Sequence, residues 1–304
     1  MTPVDAVELH STACAICGVY DESVEVYPAR FTAADFNPSI FSARRQPDRV
    51  HYRMVRCRRC GLLRSDPVAD TAAIAALYRE SAFDYGPETE NLRRTYGRYL
   101  RKAPGRGTFL EIGCGNGFFL EEARALGFSH VTGIEPSAEA VRQAAPGIRN
   151  QILCDLMRPG LLPPSSIDVI AMFQVFDHLP DPGAVLDECR RLLRPGGWVL
   201  CLNHDAGAFS ARVLGECSPI IDIEHTYLYD RRTLARIFAA HGLEPRRSGA
   251  VSNCYSLQYL ARLLPLPRTA KQAVLNFLSS TRLGNVNIRA RLGNLYLMAQ
   301  KASQ

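Results

Sequence analysis

The rhythm of apolar and polar positions changes at Thr108. From there, short apolar runs alternate with stretches of helical spacing. Runs of four to seven apolar or β-branched residues bounded by glycine or polar turns read as buried strands, and wider amphipathic windows as helices. The pattern predicts strands over Thr108–Ile112, His130–Ile134, Ile167–Met172 and Trp198–Leu202. It predicts helices near Gly117–Ala125, Ala138–Ala145 and Pro182–Leu193, each opened by a capping residue or a proline. This β-α-β-α-β order requires a parallel, doubly wound sheet, whose ligands lie at the carboxyl ends of the strands. Beyond it come a helix over Arg231–His241 and two last strands, Arg246–Ser252 and Leu295–Lys301. These strands enclose an insertion, Leu257–Leu264 and Ala270–Leu283, with Ala273, Val274, Phe277 and Leu278 at helical spacing.

With 304 residues, 47% hydrophobic and 22% charged, the chain is long enough for one large domain and an appendage. The expected division is residues 1–75 as a metal-binding module, 76–106 as a helical lid or linker, and 107–304 as the main domain with a basic helical insertion at about 256–290. No run approaches the ~18 apolar residues of a bilayer span, and the start, Met1-Thr-Pro-Val-Asp, lacks the layout of a secretion signal, so a cytoplasmic protein is expected. Charge is uneven: residues 226–304 hold 12 basic and 2 acidic side chains, against 8 and 7 in residues 1–60. A basic tail attracts phosphates or anionic head groups, which leaves peripheral membrane contact open.

Ten cysteines in a reducing compartment read first as metal ligands where they cluster. Cys14-Ala-Ile-Cys17-Gly18 and Cys57-Arg-Arg-Cys60-Gly61 form two C-x-x-C-G knuckles. Each sets two thiolates on one tight turn, and four thiolates complete the tetrahedral shell of a structural zinc. A redox role would call for a single C-x-x-C beside a β-α unit. The long loop between the knuckles, with Arg44-Arg45, is expected to pack on the next domain.

The first strand runs into Glu111-Ile-Gly113-Cys-Gly115-Asn-Gly117, a turn whose glycines expose amides to a ligand at a helix start. Phe118 stands where a dinucleotide fold would place its third glycine. The E-x-G-x-G-x-G spacing resembles motif I of the class I S-adenosylmethionine-dependent methyltransferases. The likeness continues through Glu135 in Gly-Ile-Glu-Pro-Ser, Asp155 in Leu-Cys-Asp-Leu, Phe173-Gln-Val-Phe-Asp177-His178 and Leu193-Arg-Pro-Gly-Gly-Trp. It covers about residues 107–205 and departs from the family in carrying Asp177 where glutamate is frequent. The resemblance implies a doubly wound seven-stranded methyltransferase (Rossmann-like) sheet and S-adenosylmethionine as cofactor. Glu111, Gly113, Gly115 and Gly117 would line the cofactor. Glu135 would take its ribose hydroxyls and Asp155 its adenine amino group, with the main chain near Gly113 and Phe173 holding its methionine part.

Asp222-Ile-Glu224-His225-Thr226-Tyr227-Leu-Tyr229 resembles the E-H-x-x-Y-F segment of zinc-containing sugar C-methyltransferases, which act on nucleotide-linked keto-deoxysugars. Such enzymes also carry a four-cysteine zinc module and an aromatic segment before motif I, here Tyr78 to Tyr85. That likeness implies His225 as a general base with Glu224 beside it, and Tyr78 or Tyr85 in the lid. His178 and His204 are the next candidates, because an imidazole titrates near neutrality. Only about 55 residues follow Gly249, too few for the second α/β domain of those enzymes.

Methyl transfer to carbon or oxygen of a small molecule is therefore expected, with a sugar, a glycoconjugate or a secondary metabolite first among acceptors, phosphate-bearing or nucleotide-linked forms included. RNA or protein methylation is the second reading, and a non-catalytic cofactor-binding scaffold the third. The nearly neutral N-terminal module and the absence of an Asn/Asp-Pro-Pro-Tyr/Phe segment speak against nucleic acid. A monomer and a homodimer both remain open.

Overall fold

The computed structural model describes residues 8–41, 49–80, 86, 88–264 and 266–303. Arg44-Arg45 and Tyr85 lie outside the described residues. The central sheet has seven strands: β1 Thr108–Ile112, β2 His130–Ile134, β3 Ile152–Leu153, β4 Ile167–Phe173, β5 Leu193–His204, β6 Leu243–Ala250 and β7 Asn294–Lys301. Their order is β6-β7-β5-β4-β1-β2-β3. The strands β5, β4, β1, β2 and β3 are parallel, and β7 is antiparallel to both β5 and β6. The expected doubly wound sheet is thus present. Helices cover both faces, which is why β4 is an unbroken apolar run from Val169 onward, with Val169, Ile170, Ala171 and Met172 fully buried.

Three elements differ from the sequence expectation. β5 starts at Leu193 rather than Trp198, with an irregularity between those residues that accommodates Arg194-Pro195-Gly196-Gly197. β6 starts at Leu243 rather than Arg246, because an edge strand tolerates the polar residues that hid its beginning. The helix after β2 stops at Arg142 and is followed by a separate turn, Pro146–Arg149. The insertion holds the two expected helices, Leu257–Leu263 and Arg268–Ser280, framed by an unforeseen hairpin of Asn253–Ser256 and Asn287–Ala290. Among the described residues no helix is long and apolar enough to cross a membrane.

The N-terminal strands Ser23–Tyr27, Met54–Cys57 and Leu63–Ser65 form an antiparallel sheet. Its fourth strand is Tyr227–Leu228, contributed from the segment after β5. Helix Thr71–Glu80 runs across residue 75, and helix Glu88–Leu100 lies against the insertion hairpin and the helix after β1.

Candidate active site and zinc centre

The four cysteines meet. Their sulfurs lie within 4.8 Å of one another, Cys14 Sγ and Cys60 Sγ at 3.4 Å. Tetrahedral ligands at a zinc–sulfur distance of ~2.3 Å stand about 3.8 Å apart, so the cluster has the size of a zinc shell. Each knuckle closes identically: Gly18 N donates to Cys14 O and Gly61 N to Cys57 O, with both glycines at positive φ. Burial disfavours the Cys57 thiolate, but the amides of Cys60 and Arg59 and the neighbouring thiols outweigh it and hold that pKa at about 7. Burial instead pushes the Cys17 and Cys60 thiols up, so it is the packing of four sulfurs into one shell that fits a metal binding thiolate.

At the carboxyl end of β1, Gly113 and Gly117 both have φ of 72°. A Cβ at Gly113 would stand 2.4 Å from Val175 Cγ2, and one at Gly117 2.6 Å from Ile148 Cγ2, so no side chain fits at either position. Glu135 directly follows β2, with its carboxylate buried. Its Oε2 accepts from Gly115 N and its Oε1 from Ser137 N, each at 2.9 Å, which leaves further lone pairs on both oxygens. Burial raises its pKa and the two amides oppose this. Glu111 is also buried, Oε2 has no hydrogen-bond partner, and desolvation followed by the charge of Glu135 pushes its pKa well up. Gln174, just past β4, has a positive φ of 58° and a buried Oε1 likewise without a partner. Orphaned buried acceptors are rare, and two at the ends of the neighbouring strands β1 and β4 suit a cationic, donor-rich ligand such as the amino-acid end of S-adenosylmethionine. Phe173 closes this side by stacking on Tyr96, with centroids 4.2 Å apart. Asp155 follows β3 but is engaged by Arg158 at 2.8 Å, which together with the Leu156 amide lowers its pKa.

Asp177, fully buried in the turn after β4, gathers three histidines. His204, the last residue of β5, places Nδ1 2.6 Å from Asp177 Oδ2. His225 Nε2 is 3.9 Å from that oxygen and His178 Nε2 3.7 Å from Oδ1. The His225 ring lies 4.7 Å from each of the other two. His225 Nδ1 is 2.8 Å from Ile220 O, a carbonyl that can only accept, so the ring proton sits on Nδ1 and Nε2 carries the lone pair. Tyr78 Oη donates to Glu224 Oε1 at 3.1 Å and stands 3.0 Å from His178 Nδ1, which places the His178 proton on Nδ1 as well. Burial would raise the Asp177 pKa, but the surrounding imidazoles, His204 foremost, hold it well below the carboxylate range. Burial pushes His225 down, with Asp177 opposing and His204 reinforcing the shift. Asp177, His178 and His225 could share a cation, a proton in the first instance.

Of the residues expected from sequence, His225, His178 and His204 come together. Glu224 reaches Tyr78, while Asp177 is the carboxylate that faces the imidazoles. Sequence reasoning missed Asp177, Gln174 and Tyr96 as site residues. The first two stand in the Phe-Gln-Val-Phe-Asp-His stretch already singled out; Tyr96 gives no signal, since an aromatic on a helix reads as core. The loop is clamped by the N-terminal sheet: Ser65 Oγ donates to His225 O at 2.8 Å, Ser65 N to Thr226 O at 2.9 Å, and Tyr227 Oη to Ala13 O at 3.1 Å.

Glu135→Ala is expected to weaken S-adenosylmethionine binding by about 1.5–3 kcal/mol, the range for hydrogen bonds to a charged group. Calorimetric titration of the variant checks this, and an unchanged affinity would remove Glu135 from the cofactor site.

A family model described as a methyltransferase domain matches residues 85–248. Ubiquinone biosynthesis O-methyltransferases of Xylella fastidiosa and Caulobacter vibrioides are each 37% identical over 117 and 123 residues, covering 35% and 38% of this chain and 46% and 48% of theirs. The chain spans about half the length of the curated relatives it matches. Among solved structures, a chain of the Haloferax volcanii complex between the Trm112 methyltransferase activator and a methyltransferase superposes with a TM-score of 0.50. It is 18% identical, and the match covers 71% of this chain and 92% of that one, which shows a shared fold. With the family model spanning more than half of the sequence, the chain belongs to the methyltransferase-domain family.

Proposed function

We propose that the chain methylates carbon or oxygen of a small molecule, removing a proton from the acceptor through the imidazoles around Asp177. The observation that carries this reading is the convergence of His204, His225 and His178 on one buried carboxylate at the carboxyl ends of β4 and β5. S-adenosylmethionine supplies an electrophilic methyl on a sulfonium, held in this reading by Glu111, Gly113, Gly115, Gly117, Gln174, Glu135 and, once turned from Arg158, Asp155. A neutral hydroxyl or an enolisable carbon needs a base beside it. His225 is the first choice, because burial keeps it neutral and Ile220 leaves its Nε2 free to accept. His204 is the second, because Asp177 holds its Nδ1 proton as the carboxylate does in a catalytic triad. Tyr78 links Glu224 to His178 and, with Tyr85, would close the lid.

The zinc module belongs to the same reading: four thiolates would hold the knuckles, and the N-terminal sheet pairs with Tyr227–Leu228, the strand that follows the His225 loop. That arrangement supports a likeness to the zinc-containing sugar C-methyltransferases and a nucleotide-linked or phosphate-bearing acceptor. The relatives named for ubiquinone biosynthesis favour an oxygen acceptor instead. A cytoplasmic location suits ten free thiols.

Methyl-labelled S-adenosylmethionine, incubated with nucleotide-linked keto sugars and with phenolic acceptors, tests the reading. Label is expected in one of these small molecules. Transfer only into RNA or protein would replace the acceptor class, and failure to bind the cofactor would leave a scaffold.

A further inference from the structure

The insertion between β6 and β7 is unusually apolar on its outside. Leu264, Val274, Phe277, Leu283, Val286 and Ile288 are all exposed, Phe277 by 58%. From Thr269 to Ser280 no residue of the helix Arg268–Ser280 is buried. Its Leu275 and Leu278 are half covered, while Ala270, Ala273, Val274 and Phe277 continue the same apolar arc into solvent. An amphipathic helix normally buries that stripe, so this one is only half partnered.

The charge of the segment is equally one-sided. Residues 257–293 hold six basic side chains and no acidic one. Arg262, Arg282, Arg289 and Arg291 are exposed, and no ion pair among the described residues takes them up. A surface that joins exposed aliphatic side chains to unpaired arginines has two requirements, an apolar phase and an anionic rim.

We infer that this face docks on the surface of an anionic lipid bilayer, its apolar arc entering the head-group boundary and its arginines meeting lipid phosphates. A second copy is the poorer occupant, because a two-fold interface would set this face against itself and bring like charges together. The docked face lies one helix away from the cofactor cleft. Asn91 Nδ2 donates to Asn287 Oδ1 at 2.8 Å and Cys254 N to Thr95 Oγ1 at 3.0 Å, while Tyr96 on the same helix stacks on Phe173. Docking would therefore bring the mouth of the site towards the bilayer. The inference is independent of the acceptor and of the base.

Sedimentation of the full chain with vesicles of phosphatidylglycerol and phosphatidylcholine in equal parts, and with phosphatidylcholine alone, tests it. The protein is expected to sediment with the anionic vesicles and to stay in solution with the neutral ones. Val274→Asp with Phe277→Asp should lower partitioning at least tenfold. Arg282→Gln, Arg289→Gln and Arg291→Gln together should lower it by about fivefold for each cation removed and flatten its salt dependence. These side chains are exposed, so both variants should keep wild-type melting and cofactor affinity, which separates lost docking from lost folding. No sedimentation with anionic vesicles would overturn the inference. So would partitioning that the aspartate pair leaves unchanged, or a dimer in solution that the same pair dissolves.

Discussion

His225→Ala will bind S-adenosylmethionine as the parent does and turn over roughly a hundred- to ten-thousand-fold more slowly, the usual share of a general base. The residues proposed to hold the cofactor stand on or just after β1, β2 and β4, and none hydrogen-bonds the His225 side chain, so binding has no reason to change. The pH profile gives a second reading. Only the neutral ring can accept a proton, and burial holds the His225 pKa below its ordinary 6.5. The single-turnover rate should accordingly be flat above about pH 6.5 and fall as pH drops through the lowered value. Stability follows the same sign. The unfolded chain protonates this histidine more readily than the folded one does, so its contribution is present above pH 6.5 and lost in acid. Asp177, held below its ordinary 3.8, deepens the loss at lower pH. The rival is His204. If it takes the proton, His204→Ala will show the rate loss, and His225→Ala will mainly lower the melting temperature by leaving Ile220 O without its donor. Measuring rate and melting point on both variants assigns the base.

The parallel sheet was legible in the sequence because both of its faces are covered, so each strand is an apolar run bounded by turns. Ile167–Met172 was recognisable for that reason, and the strand runs one residue further, to Phe173. The glycines of the β1 turn were legible because the backbone there leaves no room for a Cβ against Val175 or Ile148. Edge elements were not. β3 is two residues long and the hairpin of the insertion is short and polar, so neither leaves a periodicity to read. The proposed catalytic cluster was half legible: histidines announce themselves, but their partners are set by distance. Asp177 and His204 are 27 positions apart in the chain and 2.6 Å apart in space. The sequence offered Glu224, the neighbour of His225, as its carboxylate, whereas folding turns Glu224 towards Tyr78 and brings Asp177 to the imidazoles.

The join between the four-cysteine module and the His225 loop leads to the other large expected effect. A structural zinc site binds with an apparent ~10–16 kcal/mol in isolated zinc-finger peptides at neutral pH, comparable to the whole stability of a domain. Chelation, or Cys57→Ser, should therefore melt the N-terminal sheet. Strand Tyr227–Leu228 pairs with Leu63 and Arg64 of that sheet, and Ser65 holds the main chain of His225 and Thr226. Melting the sheet thus frees the base while leaving β1, β2 and β4 intact. Metal-free protein is expected to bind S-adenosylmethionine with nearly its original affinity and to transfer methyl at least about a hundredfold more slowly, as if the base had been removed. Restoring zinc should restore turnover, unless serine occupies position 57. Stoichiometric metal analysis, calorimetric titration and single-turnover rate on one preparation check the three parts. Undiminished turnover in metal-free protein would show that the module does not hold the loop. Loss of cofactor binding together with turnover would show that the central sheet needs the module to fold.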